Sequence, residues 1–84
     1  MKQEVIITLR DSSGTIGYDI EVPTDVRVNK LTKDIKEAVL SYNSKYNHIQ
    51  SLDILYSERM NMVLPSDKTF AEIGIWTGDV IEIR

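Results

Sequence analysis

The sequence predicts an α+β domain: a mixed sheet of about five strands with one helix packed across one face. Three observations predict it. Apolar and polar residues alternate from Val5 to Leu9 and again from Ile16 to Val22, the period of strands with one buried side. The spacing then changes to three and four between Val28 and Tyr42, the stripe of an amphipathic helix. Short alternating runs return from Leu52 and end on Ile81 and Ile83. A single helix stripe and several one-sided strands bury themselves economically as two layers, with the other sheet face left to solvent.

In the first run Val5, Ile7 and Leu9 share one face, with Glu4, Ile6 and Thr8 on the other. Asp11-Ser12-Ser13-Gly14 suits a tight reversal. Ile16, Tyr18, Ile20 and Val22 then face inward while Gly17, Asp19 and Glu21 face out, completing a hairpin. Pro23 ends the second strand because it lacks an N–H for the ladder. The helix stripe is Val28, Leu31, Ile35, Ala38, Val39 and Tyr42, backed by Lys30, Lys33, Asp34, Lys36 and Glu37. Thr24 and Asp25 lie early for an N-cap, and Asn43 suits a left-handed C-terminal residue.

The polar stretch Ser44 to Ser51 reads as a surface connection. A short third strand follows, with Leu52, Ile54 and Tyr56 on one side and Asp53 and Leu55 on the other. Ser57 to Asn61 reads as a turn and Met62-Val63-Leu64, stopped by Pro65, as a very short fourth strand. Thr69 to Ile75 suits a single helical turn or 3₁₀ segment. Gly78-Asp79 introduces the last strand, with Ile81 and Ile83 inward and Val80, Glu82 and Arg84 outward. Met60 and Met62 read as core or edge filler. Trp76 has two readings, an interface anchor or a side chain packed across the edge of the core.

Composition narrows the chemistry. The chain has 84 residues, a net charge of −3 and no cysteine, so one domain is expected, residues 1–84, without disulfides or thiol chemistry. Its folded surface should be about 5,100 Å² against roughly 13,900 Å² unfolded. Lys30, Lys33 and Lys36 are interrupted by Asp34 and Glu37, a solvated helix face and not the basic stripe that nucleic acid requires. No apolar run is long enough to span a membrane, and the N-terminus has no signal-peptide pattern. A cytoplasmic protein is expected, peripheral to a membrane only through a partner. His48, the one histidine, reads as an incidental loop residue without a nucleophile or orienting acid. No G-x-S-x-G elbow, metal-ligand spacing or phosphate-binding glycine loop occurs. The expectation is no enzyme, no cofactor and no metal.

The order strand, strand, helix, strand, short strand, helical turn, strand is that of the β-grasp, or ubiquitin-like, fold. Two stretches carry a closer resemblance. Ile20-Glu21-Val22-Pro23-Thr24-Asp25 resembles the strand-to-helix corner of ubiquitin-like domains. Leu52 to Tyr56, then Asp67-Lys68-Thr69-Phe70-Ala71-Glu72-Ile73-Gly74-Ile75, then Gly78-Asp79-Val80-Ile81-Glu82-Ile83 resemble the family's third strand, its D-x-T-L-x-x-x-G-I turn and its G-D-x-I-x-I strand. Phe70 stands where leucine is commoner. The sequence carries no Gly-Gly tail, which ubiquitin-like modifiers and sulfur carriers need for adenylation. Among tail-less members it resembles the YukD/EsaB family of Gram-positive bacteria. That resemblance implies a non-conjugated accessory protein of a type VII (ESX/WXG100) secretion system, working through protein partners in the machinery at the membrane. The alternatives are a modifier or sulfur carrier whose tail lies outside this sequence, or a regulatory domain of a larger membrane component.

Binding therefore falls to the uncovered sheet face. The alternation assigns it Ile6, Thr8, Asp53, Leu55, Val80, Glu82 and Arg84, with the last strand between the first and third. Ile6, Leu55 and Val80 form its expected apolar centre. Antiparallel pairing is expected to set Asp53 opposite Arg84 and Leu55 opposite Glu82. Leu55 falls where ubiquitin has its central recognition isoleucine, so Leu55→Asp is expected to abolish partner capture at little cost in stability. The sequence leaves the partner's identity and the oligomeric state open.

Overall fold

A computed structural model describes residues 3–84. The N-terminal alternation forms a hairpin of β1 (Glu4–Asp11) and β2 (Gly17–Pro23), with Glu4 opposite Pro23 and Arg10 opposite Gly17. Ile7, Leu9, Ile16 and Val22 go to the interior as their spacing requires. Asp11 builds the reversal. Its buried carboxylate accepts hydrogen bonds from the Ser13 hydroxyl at 2.7 Å, the Thr15 hydroxyl at 2.9 Å and the Ile16 N–H at 3.0 Å. A carboxylate taken out of water needs such donors.

The helix α1 (Val28–Tyr42) buries Val28, Leu31, Thr32, Ile35 and Val39 against the sheet. Its start is fixed by tertiary contacts. Arg27 occupies the N-cap without a side-chain cap; the N–H groups of Val28 and Asn29 donate to the carbonyls of Lys68 and Ser66 instead. Thr24 is used elsewhere, donating from both its N–H and its hydroxyl to the Gln3 carbonyl. At the other end Asn43 is extended (φ −153°, ψ 106°), not left-handed. Its side chain accepts from the Lys45 N–H and opens a 3₁₀ segment, Ser44–Ser51.

That segment corrects the expectation of a plain surface connection, because Ile49 within it is fully buried. It also gives His48 a place. The imidazole Nε2 lies 2.9 Å from the Asp11 carboxylate, so the histidine ties the segment to the first hairpin.

The remaining strands are β3 (Leu55–Ser57), β4 (Met62–Val63) and β5 (Val80–Ile83). The sheet order is β2-β1-β5-β3-β4, with β1 and β5 parallel and all other pairs antiparallel. Between β4 and β5 a single helical turn, α2 (Phe70–Ile73), seats the buried Phe70. It carries a capping box: the Thr69 hydroxyl accepts from the Glu72 N–H while the Glu72 carboxylate accepts from the Thr69 N–H. Gly74 ends it at φ 92°, a left-handed conformation that glycine adopts without a Cβ penalty. The core runs from Ile7, Leu9 and Ile81 in the sheet to Leu31 and Ile35 in the helix. The exposed surface is 5175 Å², as expected for a β-grasp-like domain of this mass. Among the described residues no helix is long and apolar enough to cross a membrane.

Candidate interaction surface

The outer face of the sheet departs from the sequence expectation in β3. Leu55 is completely buried, and the partly exposed residues are Tyr56 and the preceding Ile54. The phase of β3 is therefore opposite to the expected one. Hydropathy favours the expected phase, which would bury Leu52, Ile54 and Tyr56, whereas the observed phase buries Leu55 and Ser57. Pairing decides: Leu55 lies opposite Ile83, Tyr56 opposite Glu82 and Ser57 opposite Ile81. Ile81 and Ile83 are core residues, and directly opposed residues share a sheet face. Leu55 must follow them inward.

The same one-residue shift removes Asp53 from the face. It precedes β3, and its carboxylate accepts from the Lys36 ammonium on α1 at 3.0 Å, while the expected partner Arg84 pairs with Glu82. Ile54, not Asp53, is Arg84's backbone neighbour, and the two exchange N–H···O bonds at 3.0 and 2.8 Å. Of the expected site residues, Ile6, Val80, Glu82 and Arg84 do share the outer face; Leu55 and Asp53 do not.

The surface that results has an apolar floor and an ordered cation. Ile6 (46% exposed) lies diagonal to Val80, whose partner on β1 is Thr8. Tyr56 continues the row on β3 and Val63 (49% exposed) faces it from β4. The Arg84 guanidinium lies over the Tyr56 ring, 3.8 Å from its centroid, and donates to the Glu82 carboxylate at 2.6 Å. Glu82 and Tyr56 each hold Arg84, so its fork is aimed before any partner arrives. The Tyr56 hydroxyl donates to the Asn61 side chain, which fixes the ring in turn.

At one edge of this face stands a second ordered aromatic. Asp79 is buried and accepts both Arg59 Nε at 2.7 Å and Arg59 Nη2 at 3.0 Å, plus the Trp76 N–H at 2.8 Å. Arg59 also donates to the Gly74 carbonyl at 2.7 Å and lies 4.2 Å from the centroid of the Trp76 ring. Hydrogen bonding from Arg59 holds the Asp79 carboxyl below the usual carboxylate range, against the opposing effect of burial. Trp76 is nonetheless 64% exposed, which excludes the reading in which it packs across the core edge. The adjoining Thr77 hydroxyl accepts the Ile6 N–H, and the Gly78 N–H donates to the Ile6 carbonyl, joining this turn to the face.

The arrangement is suited to recognition: rigid aromatic and guanidinium groups over a partly exposed apolar floor. Ile54, Tyr56, Val63 and Arg59 escape the sequence reading. A strand of two residues and a turn arginine leave no periodic signal, while Trp76 was visible by residue type. Among the described residues no group of three histidine or acidic side chains converges as metal ligands would. No protein-family model matches the chain, and comparison with curated proteins finds no match.

Proposed function

We propose that this protein is a non-conjugated ubiquitin-like accessory protein of a bacterial type VII secretion system, acting in the cytoplasm by binding components of the machinery at the membrane and not by catalysis. The outer face of Ile6, Tyr56, Val80 and Arg84 carries the binding part of this reading. The secretion setting rests on the resemblance of the stretches ending at Ile75 and Ile83 to the YukD/EsaB family, within the β-grasp-like architecture.

The test is capture of the tagged protein from its host after brief cross-linking, in parallel with the Tyr56→Asp/Arg84→Glu variant. The reading expects membrane components of the secretion machinery with the wild type and their loss with the folded variant. Deletion of the gene should change export of WXG100 substrates. Capture that ignores the variant overturns the outer face as the site; unchanged export and no captured secretion component overturn the setting.

A further inference from the structure

A groove of about 510 Å³ runs between β2 and α1, on the side of the sheet opposite to the surface above. Its floor is core, reached through Leu31, Ile35 and Val39; Ile20 forms one wall, and the Tyr18–Tyr42 pair closes one end. Those rings meet edge to face with centroids 5.1 Å apart. Ala38 and Tyr42 belong to the helix's apolar stripe yet stay exposed, the Tyr42 ring meeting Tyr18 of β2 across the groove.

Along the groove lies an open strand edge. Among the described residues β2 pairs with β1 only. Ile6 and Thr8 direct their backbone groups toward the β5 side, where Gly78 N–H donates to Ile6 and Thr8 N–H to Asp79. The alternating antiparallel pattern, anchored by Thr24 N–H to Gln3, then gives Tyr18, Ile20 and Val22 the bonds to β1. The N–H and C=O groups of Asp19 and Glu21 point to the free edge. Among the described residues no lysine or arginine lines the groove. Asp34 stands on its helix side, and the carboxylates of Asp19 and Glu21 turn to the outer side of the edge strand, opposite Thr8 and Ile6, with Asp19 accepting from the Thr8 hydroxyl at 2.7 Å. Lys30 pairs with Asp34 from outside the lining at 3.0 Å.

We propose that this groove takes an extended peptide segment of a partner protein, with alternating apolar side chains and flanking lysine or arginine, added to the sheet as a strand beside β2. Strand addition uses the free Asp19 and Glu21 backbone groups for affinity and the groove for every second side chain. The Asp19 and Glu21 carboxylates, on the outer side of the same strand edge, select the basic flanks. A second copy is disfavoured by the same charges, since antiparallel pairing of two β2 strands about Ile20 sets Asp19 against Glu21 twice. The groove lies on the opposite side of the sheet from Tyr56 and Arg84, while the Asp19 and Glu21 carboxylates stand opposite Thr8 and Ile6 on the outer side.

The experiment uses the ¹⁵N-labelled full chain and two synthetic peptides, Lys-Arg-Val-Thr-Ile-Ser-Val-Arg-Lys and the same core flanked by glutamates. The basic peptide should shift amide signals of Tyr18–Val22 and of α1 from Leu31 to Tyr42, and slow hydrogen exchange at Asp19 and Glu21. The Asp19→Lys/Glu21→Lys variant and the Ala38→Trp variant, all three positions exposed, should each weaken binding about tenfold or more while keeping the wild-type spectrum elsewhere. Equal binding of the glutamate-flanked peptide, shifts confined to the Tyr56 face, or no shifts at millimolar peptide would overturn the proposal. So would slow exchange at Asp19 and Glu21 in a dimer without peptide, which would make the occupant a second copy.

Discussion

Replacing Leu55 tests the register of β3 most directly. The side chain has no exposed surface, lies opposite Ile83 and belongs to the main core. Truncating such a leucine to alanine costs about 2–5 kcal/mol, the transfer free energy plus the cavity left behind. Total stability for a domain of 84 residues is about 4–13 kcal/mol. A loss near 3 kcal/mol therefore removes a large share of it and lowers Tm by about 12–24 °C. Leu55→Asp adds an unpaired buried charge and should leave the chain unfolded. Tyr56→Ala, one residue away on the outer face, should cost about 1 kcal/mol. Urea titrations followed by far-UV circular dichroism measure both. If Leu55→Ala costs less than Tyr56→Ala, the inward assignment of Leu55 and the whole register of β3 against β5 are wrong. Partner capture adds a second readout: folded Tyr56→Ala should lose it, whereas loss with Leu55→Asp would report only unfolding.

Other outcomes follow from the polar contacts. Asp11 and Asp79 both have depressed carboxyl pKa values. For Asp11, burial pushes upward but is outweighed by the Ile16 N–H and the Ser13, His48 and Thr15 side chains; for Asp79 the Arg59 contact dominates. A depressed native pKa gives stability that is complete above the unfolded value near 3.8 and lost as pH falls through the native value. The urea midpoint should thus decline below about pH 4, and Asp11→Asn/Asp79→Asn should flatten that decline. Asp11→Ala leaves the Ile16 N–H without its acceptor and should cost about 1–3 kcal/mol at pH 7. Thr69→Ala removes half of the α2 capping box and should cost about 1 kcal/mol, with a tighter readout in the hydrogen exchange of the Glu72 amide. Arg59→Ala should shift Trp76 fluorescence and speed its quenching by iodide, because the guanidinium covers one ring face; unchanged quenching would count against the ordered Trp76.

The sequence carried several elements to their correct ends for identifiable reasons. In β1 and β2 the alternation is unambiguous because inward Ile7, Leu9 and Val22 face outward Thr8, Asp19 and Glu21. In β5 the inward Ile81 and Ile83 flank Glu82, so only one phase is tolerable. β3 offers Leu52, Ile54, Leu55 and Tyr56 in five residues, and either phase buries apolar surface. The helix stripe was read correctly at Leu31, Ile35 and Val39, but Ala38 and Tyr42 were not buried with them. Whether the far edge of a stripe meets the sheet depends on how β2 splays from α1, a distance that no spacing encodes. Asp11 and His48 stand 37 positions apart, so their contact has no local signature at all.

Periodicity and punctuation therefore settled the architecture, since burying a two-fold or 3.6-fold apolar face is a local requirement each segment carries with it. Pro23 and Gly74 mark ends for reasons of backbone geometry alone. Tertiary structure decided which residues are available to a partner. It sent Leu55 inward by pairing it with Ile83, gave Asp53 to Lys36, laid Arg84 over Tyr56, and left Trp76 outside. Each of these choices depends on pairing between segments distant in the chain, and a one-residue difference in strand register turns a recognition side chain into a core one.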